Sequence, residues 1–202
     1  MSEAGIPETA PTEEREAPRP HGSQVEPRPG RSFVERLTGV LRLDSAAYDD
    51  VADDPGALGQ AAVVVGFAAL ARSLSAEGGP LGGQGIAFMI QVGATWPIAA
   101  FLIWALGNWF GHPASFARVL RVIGFALAPL LITALTVLPA EFVRVAIDLL
   151  STALLIATFV VGTRQALRAT TGRAAFVCIV LFMVVMFAFM VFQYLMMSSG
   201  AA

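Results

Sequence analysis

Val161–Val180, VGTRQALRATTGRAAFVCIV, places Arg164, Arg168 and Arg173 between apolar stretches on either side. Such a pattern is either a basic site or a connector that marks one face of a membrane. The flanking runs decide. Glu141–Val161 and Ala174–Met197 each approach or exceed the roughly 20 helical residues needed to cross a hydrocarbon core of about 30 Å. The three arginines therefore join two transmembrane helices.

Working outward, Ala57–Leu74, Gly85–Phe110 and Phe116–Leu138 bring the apolar runs to five. The expected fold is all-α, an integral membrane bundle of five transmembrane helices. A disordered tail (1–31) and a juxtamembrane amphipathic segment (32–54) precede a five-helix domain (55–198), with spans near 57–74, 85–110, 116–138, 141–161 and 174–197. Glycine- and proline-rich breaks separate the runs, and Pro139 alone divides the third from the fourth. Pro97 and Pro129 are expected to kink the second and third helices, and Gly124 with Ala128 offers a small-xxx-small step for close helix approach.

Composition agrees. The chain of 202 residues is 56% hydrophobic and 14% charged, against about 25% charged in a soluble domain. Residues 1–54 hold 12 of the 15 acids, a polar head on an apolar body. The net charge of −2 offers no basic face for nucleic acid. All thirteen basic residues are arginine, consistent with a GC-rich bacterial genome. Met1–Gly30 carries six of the twelve prolines, no aromatic residue and no apolar core of a signal peptide.

Ser32 and Glu35 form a capping box, and Phe33, Leu37, Val40 and Leu41 make one apolar stripe with Arg31, Arg36 and Arg42 outside it. This short basic helix is expected either in the headgroup region or packed under the bundle. With a cytoplasmic N-terminus, five spans put Arg31, Arg36, Arg42, Arg118, Arg121, Arg164, Arg168 and Arg173 inside and leave only Arg72 and Arg144 outside. That is a marked positive-inside bias. Arg36, Arg42, Arg118, Arg121, Arg164, Arg168 and Arg173 are also candidate contacts for anionic lipid.

Three segments, LRLDSAAYDDVADDPGAL, SFARVLRVIGFALAPLLI and GTRQALRATTGRAAFVCIV, give the stretch from Phe33 to Met197 an order and spacing that resembles the YIP domain family. These are five-span membrane proteins named for interaction with Rab-type small GTPases, and the eukaryotic members assist vesicle traffic. The resemblance implies a cytoplasmic N-terminus, a five-helix bundle and association with other membrane proteins. Where those members carry a DLYGP-like segment this chain has DDPGAL, so small-GTPase binding is not carried over.

Chemistry is sparse. Asp148 lies about 10 Å into the fourth helix, with Arg144 one turn earlier placed to pair with it. Either this is a structural ion pair or the carboxylate lines a proton or solute pathway. Gln91, Asn108, Thr133, Thr136, Ser151 and Thr152 suit interhelical hydrogen bonds. His112 and His21 have no partner at metal-ligand spacing, Cys178 is a small apolar residue of the last span, and no hydrolase, metalloprotease or nucleotide-binding motif occurs. The expectation is a non-enzymatic scaffold or adaptor without cofactor or metal, in a cell membrane, associating with lipid and other membrane proteins. The alternative is a small channel or carrier using Asp148.

Overall fold

The computed structural model describes residues 30–74, 76, 78–137 and 141–199. Nearly all of the tail expected over 1–31, and the Pro139 break, fall outside them. Among the described residues every regular element is a helix.

Ser32 starts α1 (Phe33–Leu41) as expected: its Oγ accepts the Glu35 N–H at 3.4 Å, and Glu35 Oε2 accepts the Ser32 N–H at 2.8 Å. Leu43 then turns the chain with φ 59°, its N–H bonded to Val40 O and the Asp44 N–H to Gly39 O. This is the left-handed helix stop that glycine usually supplies. Asp44 caps the next helix, α2 (Ser45–Asp53), by accepting the Ala46 N–H at 3.0 Å. The two helices touch at Gly39, where a Cβ would lie 2.5 Å from that of Ala47.

A bend of 117° separates α2 from α3 (Ala57–Ser73). Asp54 accepts the Gly56 N–H at 2.8 Å in the turn before α3, whose N-cap is Gly56. The bundle continues with α4 (Gly83–Trp109, unbroken through Pro97), α5 (Phe116–Ala126), a 3-10 helix (Ala128–Val137), α6 (Glu141–Leu167) and α7 (Thr171–Ser199). Gly83–Trp109, Phe116–Val137 and Glu141–Leu167 are long and apolar enough to cross a membrane, and the bent α2–α3 pair makes up to four. The expected count of five is thus met only in part. At 17 residues α3 is short of a full span, and the chain before it turns aside instead of prolonging it.

Two buried clusters make up the core, and α2 contributes to the larger of them. Tyr48 and Val51 of α2, Val64 of α3, Ile103 of α4 and Val122 and Phe125 of α5 are buried together. Tyr48 is wholly enclosed, with its hydroxyl donating to Val40 O at 3.2 Å. It fits because residue 162 is glycine: a Cβ there would stand 3.3 Å from the Tyr48 ring and 3.1 Å from Val122. So α2 packs one face, Ala47, Tyr48, Val51 and Ala52, into the bundle.

The third span is broken where Pro129 falls. Proline has no N–H, and the Leu130 N–H bonds Leu127 O in 3-10 fashion, which frees the carbonyls of the preceding turn. In a hydrocarbon layer these require partners, and α6 supplies them. Thr158 Oγ1 donates to Ala126 O at 2.8 Å, sharing its proton with Leu155 O, and Ser151 Oγ donates to Pro129 O at 3.1 Å. Within the 3-10 helix, Thr133 and Thr136 donate to Leu130 O and Thr133 O, each at 2.6 Å. Thr158→Val keeps shape but removes the donor, and is expected to lower stability in detergent by about 1 kcal/mol. Thr152→Val, at an exposed position, is expected to change it by less than about 0.5 kcal/mol. Equal effects in thermal unfolding would refute the repair role.

Candidate functional site at the arginine-rich end

Six of the seven arginines expected at lipid lie on α1 and at the α5 and α6–α7 ends that enclose α2, with Arg42 in the α1–α2 turn, and most of them grip it. Arg36, expected on the polar face of α1, is buried with its side chain 3% exposed. Its Nε donates to Asp50 Oδ2 at 2.7 Å, its Nη2 to Asp54 Oδ2 at 2.6 Å and its Nη1 to Gln60 Oε1 at 2.9 Å. A buried guanidinium is tolerable only when paired and hydrogen-bonded, and these contacts tie α1 to α2 and α3. The Arg36 hydrogen bond, helped by the Gly56 N–H, holds the Asp54 carboxyl below the usual aspartate range. Arg31 does the same for Asp44 across 2.8 Å.

Arg118 and Arg121 share a face of α5, and both act on helix ends. The last carbonyls of any helix lack intrahelical donors. Arg118 donates through Nε to Ala166 O at 3.1 Å and through Nη2 to Gln165 O at 3.3 Å, both in the last turn of α6, while Nη1 meets the Asp53 carboxylate. Arg121 Nη2 donates to Ala52 O, the last turn of α2, at 2.5 Å; its Nε is buried without a partner. Arg164 completes the ring, donating to Ser45 Oγ at 2.6 Å at the start of α2. These four arginines all make contacts within the protein, to carboxylates, carbonyls and a hydroxyl of α2, α6 and the segment between α2 and α3.

Arg42, Arg168 and Arg173 remain exposed. Arg168 holds φ 49° at the stop of α6, its Nη2 4.0 Å from Asp53 Oδ1. Arg173 Nη1 lies 2.9 Å from His112 Nε2, beside a cavity between α4 and α7. At the other end, Asp148 does not pair with Arg144. Its Oδ1 lies 3.6 Å from Arg72 Nη1 of α3, so the contact crosses between helices and Arg144 stays exposed. The polar atoms sequence reasoning missed are Ser45, Asp50, Asp53, Asp54 and Gln60. Asp44 ahead of Ala47, Tyr48, Val51 and Ala52, an N-cap and one apolar face, was the available signal.

An acidic helix held by arginines from three helices, in a bundle of apolar helices, is the arrangement to compare with known families. The Yip1 domain matches residues 38–192, more than half of the chain. The chain belongs to the Yip1 domain family. No curated protein and no solved structure matches it. The Yip1 match begins within α1 and ends within α7. It covers all of α2 and the arginines that hold it except Arg36, two residues upstream. Family and apolar helices together make this Yip1-domain protein a multi-pass membrane protein.

Proposed function

We propose that this Yip1-domain protein is a non-enzymatic scaffold of a cell membrane, with five spans, a cytoplasmic N-terminus and the C-terminus across the bilayer. The observation that carries the proposal is the latching of α2 by Arg36, Arg118, Arg121 and Arg164. Polar side chains at that end are used to fix a rigid surface, as an adaptor for other membrane proteins requires. Clustering of arginines there supports the orientation, since basic connectors stay in the cytoplasm. The Arg72–Asp148 contact supports a structural use of the one acid deep in sequence.

Two measurements test this. A reporter active only outside the cytoplasm is expected to work after Ala202 and to be silent within the connector at Thr170; the reverse pattern would overturn the orientation. Protein in liposomes is expected to pass protons and small solutes no faster than protein-free liposomes. Flux above that background, lost in Asp148→Asn at unchanged thermal stability, would replace the scaffold with a carrier.

A further inference from the structure

We infer that the cavity between α4 and α7 at the arginine-rich end is a binding site for one anionic phospholipid. The phosphate would sit on Arg173 and His112 and the first part of an acyl chain would run along Phe110 and Phe176. The cavity measures about 320 Å³. Its lining combines Arg173 and His112 with the apolar Phe110, Leu167, Phe176 and Val177, the two phenylalanines meeting edge to face at 5.7 Å. A basic pair within an apolar lining matches an amphiphile with a negative head, not a soluble anion and not a neutral lipid.

Three observations support this occupant. Arginine has five donors and no acceptor, so the 2.9 Å contact makes His112 Nε2 the acceptor of one of them. No carboxylate among the described residues lies within ion-pair distance of Arg173, whereas Arg36 has two and Arg118 has one. Arg173 therefore keeps donors for a ligand that the buried arginines have already committed. Finally, Trp109, 84% exposed, ends α4 three residues before His112, and tryptophan is enriched at the membrane–water interface, where a headgroup sits. Arg42 lines a cavity too, but that one is walled by Arg31, Glu35, Thr38 and Asp44, whereas the cavity at Arg173 has an apolar lining suited to an acyl chain.

The test uses the full-length protein in nanodiscs of phosphatidylglycerol and phosphatidylcholine with identical chains, extracted in mild detergent, with retained lipid quantified by mass spectrometry. Wild type is expected to retain phosphatidylglycerol over phosphatidylcholine by about fivefold, the scale of one basic group near an anionic surface. Arg173→Gln is expected to bring that ratio near one, and Arg42→Gln, an exposed arginine outside the cavity, to leave it unchanged. Gly172→Phe, where a Cβ meets nothing within 4 Å, places a ring in the cavity and is expected to lower retention of both lipids while the protein stays folded. It decides the matter if Arg173→Gln does not fold. Soluble glycerol phosphate in excess is expected to leave the bound phosphatidylglycerol in place. A ratio near one in wild type, the same loss in Arg42→Gln as in Arg173→Gln, full retention in Gly172→Phe, or displacement by glycerol phosphate would each overturn the site.

Discussion

Replacing Arg36 by alanine is expected to lower stability in detergent by about 2–3 kcal/mol and to free α1 and α2 from the bundle. Removing one partner of a buried ion pair typically costs about 3–5 kcal/mol, because the other charge is stranded. Here the carboxylates of Asp50 and Asp54 are 26% and 39% exposed, so water recovers part of the loss. Arg36→Lys is expected to fail as well, since one ammonium cannot reach Asp50, Asp54 and Gln60 as a planar fork does. The check is thermal unfolding combined with limited proteolysis between α1 and α3, where cleavage should rise before the bundle melts. Acid gives a second readout. Asp54 and Asp44 have folded pKa values below their unfolded ones. Their contribution is therefore complete above the unfolded value, about 3.9, and is lost as pH falls through the lowered folded values. Wild type should loosen below about pH 4; Arg36→Ala should lose the Asp54 share of that pH dependence and keep the Asp44 share, which rests on Arg31. Unchanged proteolysis in Arg36→Ala would show that the latch is decorative.

Gly124→Val is expected to prevent folding, and Gly124→Ala to destabilise by about 2–3 kcal/mol, the upper range for overpacking. A Cβ at position 124 would lie 2.7 Å from Ala61 Cβ and 3.0 Å from Trp96 Nε1. Neither can give way freely. Ala61 is wholly buried in α3, and the Trp96 indole donates to Leu120 O at 2.7 Å, joining α4 to α5. Ala61→Gly in the same chain removes the closer clash and is expected to restore about half of the Gly124→Ala loss. Independent, additive effects of the two changes in unfolding experiments would show that α3 and α5 do not meet at this point.

These two sites also show where sequence reasoning reaches and where it stops. Gly124 was visible as a small residue at helical spacing, and hydropathy placed most of the helices, because both depend on local pattern. Ser32 with Glu35 and the break at Pro129 were legible for the same reason: each acts on backbone within a few residues. Arg36 was not. On α1 alone it falls on the polar face, and only the return of α2, 14 and 18 residues on in the persons of Asp50 and Asp54, turns that face inward. Asp148 illustrates the same limit. Spacing offers Arg144 at i−4, but Arg72 reaches it from another helix. The candidate cavity joins His112 to Arg173, 61 residues apart, a pairing no periodicity announces.

The broken third span has a consequence for assembly in time. Its carbonyls at Ala126 and Pro129 are satisfied by hydroxyls that belong to α6, a segment the ribosome makes afterwards. Until α6 arrives, Phe116–Val137 alone would present unpaired backbone to lipid, with Arg118 at its leading edge still lacking the carbonyls of Ala166 and Gln165. Such groups cost several kcal/mol each in hydrocarbon. Phe116–Val137 and Glu141–Leu167 are therefore expected to enter the bilayer together, as one hairpin.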